Sequence, residues 1–201
     1  MSEWWTYRLS DFLMFSPRTY WRLVELYNLD WWPLHLAALL AGFIAFAMAV
    51  TRKAMALRVM AVLLATAWLW VGWAFHWQRY AAINWAAQYA ALAFVLQALL
   101  LLALGLRGAP VASTPTPAMH GLGWVLAIAG LVAYPFAAWM AGRPWLQAEV
   151  FGMAPEPTAL STLGLLLISP VAAQRGRLLL LCAIPCVSLL AGAATLWTFL
   201  G

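Results

Sequence analysis

The residues that could do chemistry in this chain cluster at the ends of its apolar runs. His35 opens one run and His76 closes the next, with Gln78 and Arg79 directly after it. Asn84 and Gln88 stand four apart, one turn of a helix. Arg143, Glu149 and Glu156 share a proline-containing stretch between two later runs, and Asp30 precedes the first. Ionisable groups at membrane depth are costly and face protein or a water-filled cavity. His35, His76, Arg79, Asn84, Gln88, Arg143 and Glu156 are therefore the candidate polar site. A plainer reading also fits them: the rings reach the headgroup layer and the arginines snorkel to lipid phosphates. The residues alone leave both open.

Two histidines at similar depth on neighbouring helices also suggest a haem or copper pair at His35 and His76. No Cys-x-x-Cys-His stretch is present for covalent haem, and the eight methionines are dispersed, with no Met-x-x-Met cluster for copper(I). No haem or metal is expected on that basis. Cys182 and Cys186 lie four apart inside the last apolar run. Their side chains run roughly parallel on one helix, which disfavours a disulfide and leaves two small hydrophobes. No Gly-x-Ser-x-Gly, His-Glu-x-x-His or P-loop occurs, so no catalytic residue is assigned and an enzyme is not expected. Mid-run polar residues amount to Gln97, Thr66 and a few hydroxyls. Ion-coupled transporters place ionisable groups near the midplane, so this pattern counts against that class.

The elements that must position these residues are apolar helices. The 201 residues are 66% hydrophobic and 8% charged, which reads as a polytopic membrane protein rather than a soluble domain. Most of the fourteen tryptophans fall near the ends of apolar runs, where an indole suits a membrane–water interface. At about 20 residues per crossing, the expected fold is an all-α polytopic transmembrane bundle of about six spans. These are about 32–50, 59–77, 82–106, 121–141, 158–173 and 178–200. The fifth run is short and contains Pro170, and Pro185 should kink the sixth. Alanine stripes at Ala37, Ala41, Ala45 and Ala49, and at Ala82, Ala86 and Ala90, invite close helix approach.

Residues 1–30 form a separate N-terminal segment. Ser16-Pro17 caps and starts a helix whose Tyr20, Leu23, Val24 and Tyr27 share one face, with Arg18, Arg22 and Glu25 opposite. That is an amphipathic helix lying in the interface plane. The beginning of the chain lacks the pattern of a cleaved signal peptide, so the first crossing is expected to act as its own insertion signal. One side of the membrane then holds Arg52, Lys53, Arg58, Arg107, Arg175 and Arg177 with no acid. The other holds Arg8, Arg18, Arg22, Arg79 and Arg143 together with all the acids. The basic excess points inward, placing both termini on the outer, periplasmic side. The net charge of +5 is scattered singly over loops, so no nucleic acid is expected as a partner.

Several segments carry a family resemblance. They are Phe15-Ser16-Pro17 through Tyr27-Asn28 with Trp32-Pro33, Phe75-His76-Trp77 with Ile83-Asn84, and Phe151 through Thr158 with Thr162 through Leu166. In order and spacing they resemble an uncharacterised family of small bacterial inner-membrane proteins, a domain of unknown function sometimes labelled permease-like. The resemblance implies a helical bundle in a bacterial inner membrane and no particular reaction. It points to Asn28, Pro33, His76, Asn84, Pro155 and Pro157. Where that family tends to have Pro-Cys-Pro-Thr, this chain has Pro155-Glu156-Pro157-Thr158, so no thiol role transfers. Many members also continue into another apolar segment, whereas this chain stops at Gly201.

The function expected from these readings is a non-catalytic accessory or structural subunit of a larger membrane complex. Its partners would be membrane lipids and other membrane subunits, or further copies of itself. The alternative is a small permease or channel with a polar vestibule on its outer side. A His-ligated haem or metal protein ranks third.

Overall fold

The computed structural model describes residues 15–51, 53–107 and 114–199. Residues 1–14 of the N-terminal segment (Arg8 included), Arg52, the middle of the loop before Pro117 and the last two residues lie outside them. The described residues are mostly helix, joined by turns and loops, with no strand. They form α1 (Pro17–Asp30), α2 (Leu34–Thr51), α3 (Ala54–Trp70), α4 (Ala87–Gly105), α5 (Pro117–Ile128), α6 (Ala137–Met140), α7 (Pro155–Ile168) and α8 (Arg175–Thr198). Five helical stretches are long and apolar enough to cross a membrane: Leu34–Thr51, Ala54–Ala82, Ala87–Gly105, Pro117–Met140 and Arg175–Thr198. The fifth expected run, 158–173, is the shorter α7, because Ser169 turns to extended backbone and Pro170 cannot continue the helix. The third expected run begins five residues late, at Ala87. Asn84 Oδ1 accepts the Ala86 N–H at 3.1 Å and holds a turn ahead of it.

Helix α7 is the axis of the fold. Eleven of its fourteen residues are buried, and α2, α3, α5 and α8 all pack against it. A helix buried on all sides must satisfy its polar side chains internally. Ser161 and Thr162 hydroxyls donate to the carbonyls of Pro157 and Thr158, one turn back. Thr162 Oγ1 also accepts from Trp68 Nε1 at 2.9 Å, tying α7 to α3. Thr158 Oγ1 accepts the Gly152 N–H at 2.8 Å, fixing the preceding loop. Gly152 itself has φ +74°, a conformation that favours glycine.

The closest helix crossing lies between α5 and α7. A Cβ on Gly164 would collide with the backbone N of Ala127 and lie 2.8 Å from its Cα. A Cβ on Gly123 would lie 2.9 Å from the Gly164 carbonyl. One at Gly130, where the α5 helix continues as a π turn, would meet Ser161 and the Pro157 carbonyl. Small residues here let the backbones touch, in the manner of small-xxx-small pairs. The alanine stripe of α2 is buried at Ala45 and Ala49 but exposed at Ala37.

Helix α8 runs through Pro185, which has no N–H for the Leu181 carbonyl. Gln97 of α4, fully buried, supplies the missing donor: its Nε2 reaches that carbonyl at 2.9 Å. Away from this contact α8 presents a mostly exposed apolar surface.

Helix α1 docks across one end of the bundle. Ser16 Oγ accepts the Thr19 N–H at 3.2 Å and Pro17 opens the first turn. Tyr20, Val24 and Tyr27 are buried beneath the helix. Asn28 Nδ2 donates to the carbonyls of Leu146 and Ala148, both at 2.8 Å, binding α1 to the loop before α7. The α1 end holds Arg18, Arg22, Arg79 and Arg143 with Glu25, Asp30, Glu149 and Glu156. The opposite end holds Lys53, Arg58, Arg107, Arg175 and Arg177, and no acid among the described residues.

Substitutions at four positions test this packing by thermal unfolding of the purified chain. Gly164→Ala should cost about 1–3 kcal/mol through overpacking. Gly121→Ala, where a Cβ meets nothing within 4 Å, should be neutral or slightly stabilising. Gln97→Leu should cost about 1–3 kcal/mol by leaving a buried carbonyl unpaired. The same change should cost much less beside Pro185→Ala, because the new backbone N–H at position 185 restores the helical bond to Leu181. Additive losses in that double variant would refute the pairing.

Candidate functional site

The α1 end encloses a cavity of about 210 Å³. Room for about seven waters follows at about 30 Å³ each. Its walls come from six elements. Tyr20 enters from α1, and Phe75, His76 and Tyr80 from the helical continuation of α3. Asn84, Ala86, Ala90 and Phe94 enter from α4 and the turn before it. Tyr134 enters from the continuation of α5, and Glu149 and Glu156 from the loop and first turn of α7. Ser188, Gly192 and Thr195 close the α8 side.

Local backbone geometry aims these side chains. Past Trp70 the α3 helix widens into a π segment, Val71–Trp77, which ends with Gln78 N–H bonding back five residues to the Trp73 carbonyl at 3.0 Å. His76 sits in this segment. A second π segment, Ala129–Ala133, runs into Tyr134-Pro135. Pro135 lacks the N–H that would bond the Leu131 carbonyl, so the regular ladder cannot pass it.

His76 is 6% exposed and rests on aromatic rings, with its centroid 4.5 Å from that of Phe94 and 5.4 Å from that of Phe75. Neither of its ring nitrogens has a protein hydrogen-bond partner. Glu156 Oε2 is likewise buried without one, while its Oε1 lies against Gly192. A side chain at 192 would push this carboxylate aside. Glu149 is 6% exposed, and the Tyr20 hydroxyl donates to its Oε1 at 3.5 Å, the long limit of such a bond. Burial, and then the nearby Glu156 charge, push the Glu149 carboxyl up to about 8 against the opposing pull of Arg143 and Tyr20. Burial and the same two carboxylates raise the Tyr20 hydroxyl well above its ordinary value, keeping it a donor.

Of the candidates named from the sequence, His76, Asn84 and Glu156 meet in this cavity. His35 does not: its Nε2 hydrogen-bonds Asn28 Oδ1 at 2.9 Å beneath α1. The two histidines therefore line no common gap. Arg79 forms an ion pair with Asp30 along a separate surface groove. Gln88 is exposed. Arg143 lies over the Trp21 ring, 3.4 Å from its centroid, and its Nη1 donates to the Gln147 carbonyl at 3.4 Å. Among the described residues no group of three or more His, Cys, Asp or Glu is placed to hold a metal ion.

At the level of sequence, Glu149 stands beside Arg143 and Glu156 without being counted in the candidate site, and Tyr20, Tyr80, Tyr134 and the α8 wall are passed over. The α8 wall had a signal: Ser188, Ala191, Gly192 and Thr195 recur at i, i+3, i+4, i+7, one small and partly hydroxylated face in an otherwise bulky helix. The alanines at 86 and 90, expected to dock a helix, instead make room in the cavity.

Fold and site together define an all-α bundle, with five helical stretches of membrane-crossing length among the described residues, that holds at one end a mostly apolar cavity with a few polar groups. The chain belongs to the family of unknown function DUF6064, whose model matches residues 18–199. No curated protein and no solved structure matches it.

The sign of the pH dependence follows from Glu149. Its folded value, about 8, lies above the ordinary 4.5, so the fold favours the neutral carboxyl. That contribution is complete below about pH 4.5 and is lost as pH rises through about 8. The melting temperature should fall between pH 5 and pH 9, and Glu149→Gln should flatten that fall. Parallel melting curves for the two proteins across this range would exclude the effect.

Proposed function

We propose that this is a multi-pass membrane protein that binds a small solute in the cavity at its α1 end, in the manner of a permease with an outer vestibule. The observation that carries the reading is His76, buried at the cavity wall with two unpartnered ring nitrogens, in a cavity that Glu156, with its own unpartnered Oε2, also lines. Buried polar atoms normally have partners, and exceptions mark sites of function. Such a cavity, mostly apolar with a few convergent polar groups, is the usual form of a small-molecule site.

The basic, acid-free end faces the cytoplasm by the positive-inside rule, so the cavity opens outward in a bacterial inner membrane. Helix α1 lies at the lipid interface, with Arg18 and Arg22 exposed to headgroups. Toward the cytoplasm the cavity is stopped by packed side chains. The Trp68 and Phe94 rings stand 4.3 Å apart, and the Gln97–Leu181 bond lies in the next layer. Passage of a solute requires those layers to part, so the arrangement is an outward-facing one.

Accessibility of the cavity tests the proposal. Ser188→Cys, in a chain with Cys182→Ala and Cys186→Ala, should react in intact cells with a membrane-impermeant thiol reagent. His76→Ala should leave expression unchanged and abolish uptake once a solute is known. A stoichiometric complex with other membrane subunits, with the thiol at position 188 unreactive until they are stripped away, would replace this reading by an accessory-subunit role.

A further inference from the structure

The chemistry of the cavity wall selects its solute. Two carboxylates, Glu149 and Glu156, face the space, and no lysine or arginine lines it. Arg143, the nearest cation by charge coupling to Glu149, is stacked on Trp21 instead. Aromatic rings form one side of the remaining wall, otherwise made of small and aliphatic residues, and Tyr80 is the hub of those rings. Its ring centroid lies 5.6 Å from Tyr20, 5.9 Å from Phe75 and 6.2 Å from His76. Carboxylates combined with aromatic rings around a compact space are the chemistry that recognises an ammonium group, through charge and the negative faces of the rings. A metal ion is a poor fit, since no three ligands converge among the described residues. An anion would face two carboxyls and no counter-charge.

We propose that the cavity binds a compact organic ammonium ion, seated between Glu149 and Glu156 against the aromatic wall centred on Tyr80. This rests on the outer-vestibule reading and names its substrate class. Binding is proton-linked. The ammonium favours the ionised carboxyl, so a proton held on Glu149 leaves to solvent as the cation enters, and charge balances as one cation exchanged for one proton. The titratable and charged groups facing Glu149 are Tyr20 on α1, His76 and Tyr80 on the continuation of α3, Tyr134 beyond α5, Arg143 in its own loop and Glu156 on α7. Helices α4 and α8 contribute only uncharged groups, including Asn84, Ser188 and Thr195.

The test is protection of the thiol at position 188, in the full chain reconstituted into lipid nanodiscs, from a small neutral thiol reagent. Methylammonium, tetramethylammonium and choline are the cationic probes. Neutral 3,3-dimethylbutan-1-ol and anionic 3,3-dimethylbutyrate match choline in shape. At least one cation should slow labelling about fivefold or more at pH 8.5, and the neutral and anionic probes should not. The half-protecting concentration should rise as pH falls, because binding displaces a proton from the carboxyl pair. Glu149→Gln with Glu156→Gln should remove the protection and its pH dependence while the protein still melts cooperatively. Protection by the neutral alcohol as strong as by choline, no protection by any of the three cations, or protection independent of pH would overturn the ammonium assignment and leave the vestibule standing. Failure of position 188 to react with any reagent would bring down the vestibule itself.

Discussion

The cavity at the α1 end depends on how closely α7 approaches α5. Two backbones in van der Waals contact at Gly123, Gly130 and Gly164 fix the depth and rotation of α7 within the bundle. Its first turn, bearing Glu156, is thereby set opposite Gly192 of α8, and Tyr134, one turn past Gly130, is set on the adjoining wall. A bulkier contact would push α7 outward and move the carboxylate with it. Because α7 is nearly wholly buried, it has no lipid or water face on which to absorb such a shift. Its position is over-determined by packing on four sides.

A second constraint is that every polar group in this apolar setting needs a partner inside the protein. The fold meets it locally where it can, as with the Ser161 and Thr162 hydroxyls, and across helices where it cannot, as with Gln97 and the carbonyl that Pro185 leaves free. Against that background the exceptions stand out. His76 and Glu156 carry unpartnered atoms at one end of the molecule, next to a carboxyl whose proton is held by its surroundings. Single unpartnered atoms also occur at His35, Gln97 and Gln174, but among the described residues only His76 has two buried side-chain atoms without a partner, and only His76 and Glu156 bring such atoms to one cavity.

The helices were legible because their causes are local. Ser16-Pro17 starts α1 where a cap and a proline should start a helix, and its Tyr20, Val24 and Tyr27 face is the buried one. Tryptophans and single charges bracket the long apolar helices. His76, Asn84 and Glu156 could be singled out because polar groups beside apolar runs are conspicuous. What escaped notice is relational. Nothing in the stretch holding Arg143, Glu149 and Glu156 singles out Glu149 until α1 covers it with Tyr20. Gly123, Gly130 and Gly164 carry no message until α5 and α7 are known to be neighbours. His35 and His76 look equivalent by depth, yet α1 claims one through Asn28 and the cavity claims the other.

The π segments at Val71–Trp77 and Ala129–Ala133 also make the chain length itself consequential. A π turn holds about one residue more than an α turn, and each residue in an α-helix advances the phase by about 100°. Removing one residue from Val71–Trp77 lets the helix close up into regular α geometry without a break. Residues beyond the segment keep nearly their old places, because the π turn had absorbed the extra residue, while those inside it change phase on the helix. The ring at 76 then faces another neighbour, with no side chain altered. Single-residue deletions, which conventional substitution scans omit, are thus the mutations by which such a bundle could silence or re-aim its cavity while keeping its helices and its core.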